Sequence, residues 1–402
     1  MPLLESLKHR PFALLWSGQA FSRLGDSVYL VALAWWVLEK TGSATVMGKV
    51  LTLTLLPRLV FALIGGVAVD RFSRTQVMFV ADLLRFFVLT WVAILAFEHS
   101  LELWHVYLTS VILGTVEAFF QPAYIAAIPD VIPSESLVSA NSLTSLTKQV
   151  ARVAGPALSG VLVKFGTTST AFAVNAASFL MSAACLLPIL KLVTKTGRDE
   201  KSSVIGDLKN GFKTVTSIPW LWITILIASL LNVTQGGPYT VSLPFLVKDQ
   251  LHADADSLGL VYSMFAIGSV VATVAASRFA VIRRRGILAY SALITSGLMI
   301  LAFGVSPSLV GLFVFSFILG ASITVFTLIW ITTMQDLIPR EFLGRVVSID
   351  NLGSFAFLPL SYGITGWATD RFGVAMVFII GGALSAALPA LGLTQPSIRR
   401  LD

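Results

Sequence analysis

Charge is what this chain lacks most. Asp, Glu, Lys and Arg make up 12% of its 402 residues, about half the share of a soluble globular chain. So few charges cannot clothe a water-facing surface of this size. Cysteine is nearly absent too: Cys185 stands alone, which excludes an internal disulfide. The four histidines lie near loops or segment ends, and no nucleophile–His–acid set is visible, so no enzyme is expected. Gly42 to Gly48-Lys49 misses the phosphate-loop pattern: five residues intervene instead of four, and Val50 follows. Glu98, Glu102 and His105 have helical spacing for a metal but read as an exposed outer loop. No metal and no cofactor are expected.

What is present is apolar. Hydrophobic residues make up 56% of the chain, and they gather into twelve long stretches near 12–38, 45–69, 77–97, 104–127, 138–163, 169–190, 219–247, 257–279, 286–304, 308–333, 343–368 and 373–393. About 20 mostly apolar residues are needed to cross a bilayer as a helix. Backbone in lipid must satisfy its own hydrogen bonds, so the expected fold is all-α, with twelve transmembrane helices. The first stretch is too long for a signal-peptide core and no small-residue cleavage site follows, so it is expected to stay as the first span.

The net charge of +7 is a matter of position. Of the 28 Lys and Arg, eighteen fall in alternate gaps and termini on one side of the spans, and five on the other. Basic loops stay in the cytoplasm. Both termini are therefore expected inside, in a cytoplasmic membrane, with some attraction to anionic lipid and no nucleic-acid partner.

The halves of the chain resemble each other. Asp130-Val131-Ile132-Pro133 with Glu135 and Leu137 precedes the fifth span, and Asp336-Leu337-Ile338-Pro339 with Glu341 and Leu343 precedes the eleventh. Phe165-Gly166 and Phe372-Gly373 follow them. The expected domains are a six-helix bundle over 1–190, a cytoplasmic linker over 191–218 and a second six-helix bundle over 219–402. Ile205, Leu208, Phe212 and Val215 give the linker an amphipathic helical spacing. Parallel six-helix repeats around a midplane site are a recurring transporter plan.

Five bases remain inside the spans: Arg23, Arg58, Arg85, Lys148 and Arg152, with Asp26 and Glu117 also deep. A charge at the bilayer centre costs about 2.5–3.5 kcal/mol, so each should face a wet cavity or a partner. Asp26 and Glu117 are the candidate proton carriers; Arg23, Arg58, Lys148 and Arg152 are their candidate partners, Arg152 first. Static pairing between helices is the alternative. Asp82 and Arg85, one turn apart near the inner surface, read as a structural pair. In the second half, Asn232, Gln235, Tyr239, Tyr262 and Trp330 are candidate cavity residues. Gly236, Gly237 and Pro238 are expected to interrupt the seventh span, and Gly155, Pro156 and Gly160 to bend or closely pack the fifth.

Gly65-Gly66-Val67-Ala68-Val69-Asp70-Arg71-Phe72-Ser73-Arg74 resembles the loop signature of the major facilitator superfamily, with Ser73 where glycine is usual. Arg152-Val153-Ala154-Gly155-Pro156-Ala157-Leu158-Ser159-Gly160 is similar to the glycine-proline motif of its exporters. Leu24-Gly25-Asp26, Ala81-Asp82-Leu83-Leu84-Arg85, Pro122-Ala123 and Ala140-Asn141 resemble its branch of macrolide and tetracycline efflux pumps, enterobactin exporters and lysophospholipid transporters. Ser110 stands where the superfamily has an arginine, four residues before Gly114. The resemblance implies a gating loop of Asp70, Arg71 and Arg74, alternating access, and a monomer exporting amphipathic small molecules in exchange for protons. Export of an anionic metabolite such as a siderophore, lysophospholipid transport, and a non-transporting membrane sensor are the other readings.

Overall fold

The computed structural model describes residues 4–190, 212, 215–276, 283–306 and 308–401; of these, the side chains at 63, 64, 66–71, 340, 341, 345 and 355 are not described. The described residues are helical and hold no strand. In chain order the principal helices are α1 (Arg10–Thr41), α2 (Ala44–Arg71), α3 (Arg74–Phe97), α4 (Leu103–Val131), α5 (Leu137–Phe165), α6 (Thr168–Leu186) and α7 (Pro219–Gln250). There follow α8 (Ala255–Ala276), α9 (Arg285–Val305), α10 (Leu309–Leu337), α11 (Arg340–Phe355), α12 (Leu358–Phe372), α13 (Val374–Gly392) and the short α14 (Pro396–Arg399).

Nine of these are long and apolar enough to cross a membrane among the described residues. The expected first and fifth spans, α1 and α5, fall outside that set despite lengths of 32 and 29 residues. Both carry deep charge, Arg23 and Asp26 in one, Lys148 and Arg152 in the other.

Helix ends follow local chemistry. Gly42, at φ +60°, closes α1 and donates its N–H to the Leu38 carbonyl at 2.9 Å; a side chain there would be strained. Glu102 and His105 form a capping box at the start of α4, with the Glu102 N–H donating to His105 Nδ1 at 3.0 Å.

Two elements differ from the sequence expectation. The eleventh span is two helices, α11 and α12, rather than one over 343–368. Pro359 has no N–H to give the carbonyl four residues back, at Phe355, so the ladder stops there. The seventh span is not interrupted: α7 continues through Gly236-Gly237-Pro238 with wide turns at Asn232–Gly236, Pro238–Ser242 and Leu246–Gln250. The missing N–H of Pro238 leaves carbonyls one turn earlier unclaimed. The Ser361 hydroxyl donates to Val233 O at 3.0 Å and Asn232 O at 3.4 Å, so the helix widens instead of breaking. The expected linker helix falls mostly outside the described residues; Val215 is buried with Leu221, Ile225 and Met334.

The chain forms two compact units. One takes in 1–42, 49–199 and 254–263, and its core joins Phe12, Leu15, Met78, Phe120, Tyr124 and Leu186. The other takes in 43–48, 200–253 and 264–402, with Ile227, Leu231, Tyr290 and Leu293 at one core. The repeated Asp-x-Ile-Pro sequence has the same structural use in each. Asp130, next to last in α4, pairs with Arg74, the first residue of α3, at 2.7 Å. Asp336, next to last in α10, pairs with Arg285, the first residue of α9, at 2.8 Å. Surface pairs of this kind contribute at most about 1 kcal/mol; their interest is that the repeat extends to individual contacts.

Candidate functional site

The buried stripe of α3 runs Met78, Ala81, Asp82, Arg85, Leu89 and Val92, at intervals of one helical turn. It therefore carries two charges into the core of the first unit, against α4 and α6. Asp82 is 0% exposed and Arg85 3%. Arg85 Nη2 donates to Glu117 Oε2 on α4 at 2.6 Å, while its Nη1 lies 3.8 Å from Asp82 Oδ1. Ser182 Oγ on α6 donates to Asp82 Oδ2 at 2.6 Å, and Gln19 Nε2 on α1 donates to Ser182 Oγ at 3.2 Å. Asp82 Oδ1 has no hydrogen-bond partner among the described residues. Phe120 and Phe179 flank the guanidinium, with ring centroids 4.3 and 5.1 Å from Arg85 Cζ. Aromatic faces favour a desolvated cation.

Asp26 completes the group. It is exposed, lies within electrostatic reach of Arg85, Glu117 and Arg23, and has no ion pair within 4 Å among the described residues. Three carboxylates thus surround one buried arginine. Asp26 lies at the protein surface, Glu117 has 29% of its side chain exposed, and Asp82 is sealed. Such a set can exchange partners and take or give a proton at the two accessible members.

The bases expected to pair with these acids sit differently. Glu117 is held by Arg85, not Arg152; the expected pair of Asp82 and Arg85 is present, with Arg85 Nη1 3.8 Å from Asp82 Oδ1, and both residues are buried in the core. Arg23 has its Cζ 5.5 Å from the Tyr124 ring centroid, and its buried Nε has no hydrogen-bond partner among the described residues. Lys148 has Arg23 and Arg152 as charged neighbours, a group of like sign. Arg58 is exposed.

Of the expected gating loop, the side chains of Asp70 and Arg71 lie outside the described residues. Arg74 Nη1 donates to Ala126 O at 2.9 Å and to both Asp130 oxygens at 2.8 and 2.7 Å. On α5, which continues through Pro156, Gly155 abuts Ser27 and Gly160 abuts Asp256 so closely that neither leaves room for a Cβ.

In the second unit, Trp330 Nε1 donates to Asp350 Oδ2 at 3.2 Å, and the Trp330 ring meets Trp220 and Phe326 at centroid distances of 5.7 and 6.2 Å. Asn232 Nδ2 donates to Ser354 O at 2.7 Å. Gln235 is buried with Oε1 unpartnered among the described residues. Tyr239 packs on Phe265 and Phe303, and its hydroxyl is 2.8 Å from Ser316 Oγ. Gly236 is open towards Leu358 and Asn232, while Gly237 is pressed on Ser361 and Thr365. Tyr262 falls within the first unit.

Asp370 is a site residue that sequence reasoning missed. Its Oδ2 accepts from Ser43 Oγ at 2.6 Å and Thr45 N at 3.0 Å, and its Oδ1 from Ala44 N at 2.8 Å. A carboxylate thus caps the first turn of α2 from a residue distant in sequence. Only the echo of Asp70-Arg71-Phe72 in Asp370-Arg371-Phe372 hints at it. Beyond the expected end of the eleventh span, burial pushes this carboxyl up, but hydrogen bonds from Ser43, Thr45 and the Ala44 and Thr45 amides outweigh it and hold it below the usual range. A depressed carboxyl stabilises at neutral pH, and that contribution disappears only as pH falls through its lowered value. Asp370→Asn should speed hydrogen exchange of the amides at 44 and 45 by about tenfold or more, the scale of a lost charged hydrogen bond. Unchanged protection in a peptide covering 43–48 would contradict the cap.

Residues 15–360 match the family described as Major Facilitator Superfamily. Macrolide efflux protein A of Streptococcus pyogenes is 24% identical over 397 residues, covering 97% of each chain. Multidrug efflux pump Tap of Mycolicibacterium fortuitum is 26% identical over 415 residues, covering 99% of each. Among solved structures, a bacterial homologue of the iron transporter ferroportin in an inward-facing state aligns with TM-score 0.74 at 17% identity, over 96% of this chain and 99% of that one. The nucleoside transporter NupG aligns with TM-score 0.75 at 12% identity, over 96% and 98%. These two likenesses concern the fold.

Proposed function

We propose, for a chain that belongs to the Major Facilitator Superfamily and is a transporter rather than an enzyme, that it exports amphipathic small molecules by alternating access in exchange for protons. The observation that carries this reading is the trio Asp26, Asp82 and Glu117 around Arg85. Arg85 satisfies Glu117 now; a shift of α3 against α4 would release Glu117 to take a proton, while Asp82 stays near to hold the guanidinium. The names of the efflux relatives suggest macrolides and mixed drugs as first substrates to try. The protein works as a monomer in the cytoplasmic membrane, with both termini inside, the orientation that the loop charges favour.

A flux assay in inside-out vesicles, with a chemically broad panel and with or without a pH gradient, tests this. Accumulation that needs the gradient supports it; flux without gradient dependence contradicts the coupling, and no flux points to a sensor. The like-charged group of Arg23, Lys148 and Arg152 favours a second reading, export of an anionic metabolite such as a siderophore or of a lysophospholipid. Comparing a cationic dye with an anionic catecholate separates the two.

Asp70→Asn is expected to lower turnover by about two- to fivefold at equal membrane abundance, the scale of one carboxylate–helix-dipole contact in the gating loop that the resemblance implies. Normal turnover would remove the gating loop from the mechanism.

A further inference from the structure

Residues 396–401 fold back on the start of α9. Ile398, 0% exposed, anchors α14. The Gly286 N–H donates to Leu401 O at 3.2 Å, and Gly286 abuts the Ile398 carbonyl with no room for a Cβ. This contact gathers bases from two distant parts of the sequence around a cavity of about 410 Å³, lined by Arg284, Arg399 and Arg400 together with Ile287, Pro396 and Leu401. Among the described residues that line it, none is acidic.

The place of the cavity says which anion suits it. It lies at the end of a membrane-spanning helix, α9, where chain would meet lipid headgroups. Its walls are part guanidinium and part apolar, the combination presented by a phospholipid's phosphate and its first acyl carbons. Guanidinium groups match phosphate oxygens in pairs, and basic pockets at membrane interfaces bind anionic headgroups. We propose that this cavity is a binding site for the phosphate of an anionic phospholipid, closed by the C-terminal turn. The site is separate from the transport charges of the first unit and does not depend on what is transported.

The full chain, purified in a neutral detergent, would be titrated with fluorescent phosphatidylglycerol. Each arginine lost should weaken binding by about fivefold, and Arg284→Gln, Arg399→Gln and Arg400→Gln together by about a hundredfold. Lys8→Gln with Arg10→Gln, bases elsewhere in the chain, should change it by less than about twofold. Should the triple variant melt early, Arg399→Lys with Arg400→Lys keeps the charge and loses the paired geometry, and an intermediate affinity is expected. Inorganic phosphate should displace the lipid only far above the lipid's own concentration. Undiminished lipid binding in a folded triple variant would overturn the proposal. So would phosphate competing as well as the lipid, which would mark a free-anion site, or equal loss in the Lys8/Arg10 control, which would mark diffuse attraction.

Discussion

The double variant Asp26→Asn, Glu117→Gln is expected to lose gradient-driven accumulation of substrate altogether, while downhill exchange of substrate across the membrane continues. Exchange returns the loaded carrier without loading or unloading a proton; accumulation requires both. The two residues earn this expectation through access. Asp26 is exposed and without an ion pair among the described residues, and Glu117 has 29% of its side chain exposed beside Arg85. Asp82 is fully buried, so a proton reaches it last. The single variants should differ. Glu117→Gln removes a 2.6 Å charged hydrogen bond and releases Arg85, whereas Asp26→Asn leaves every ion pair of the cluster in place. Tracer uptake and counterflow in the same vesicles separate the two activities. Accumulation retained in the double variant would assign coupling to another ion or to none.

Arg85→Gln is expected to have the largest effect on stability, and to stop transport with it. Breaking a buried ion pair by removing one partner costs about 3–5 kcal/mol, because the other charge is stranded. Here Asp82, already short of a partner for Oδ1, would retain only Ser182. Glu117 would lose a partner too, but its exposure lets water screen it. The cost should therefore belong mostly to Asp82, and adding Asp82→Asn should restore much of the lost melting temperature. Thermal unfolding in detergent of the two single variants and the double closes the cycle. Additive losses would show that Asp82 and Arg85 are not coupled.

Much of this architecture is written in one dimension. Span positions follow from hydropathy, and burying Asp26, Glu117 and Arg85 in apolar sequence announces that each needs a reason. The face that carries Asp82 and Arg85 was also readable, since Met78, Asp82, Arg85 and Leu89 fall at helical spacing. Partners were not readable. Arg85 meets Glu117 because α3 packs on α4, and Asp82 meets Ser182 because α3 packs on α6; Arg152, equally deep in sequence, lies beside Lys148. Asp370 caps residues more than 300 positions away, which no local pattern encodes. The break falls where Pro359 lacks an N–H, yet α5 continues through Pro156, so the proline marks a weak point without deciding the outcome; the widening at Pro238 depends on the Ser361 hydroxyl supplied by α12.

Proton exchange at the accessible carboxylates of the first unit is the centre of this account. It is tested most directly by adding a macrolide, or the probe with the highest flux, to the purified protein in weakly buffered detergent and recording the pH of the medium. The account predicts that substrate binding releases protons from the wild-type protein, and that the Asp26→Asn, Glu117→Gln variant binds the same substrate with no release. Binding without proton release in the wild type, or equal release from the variant, would contradict it.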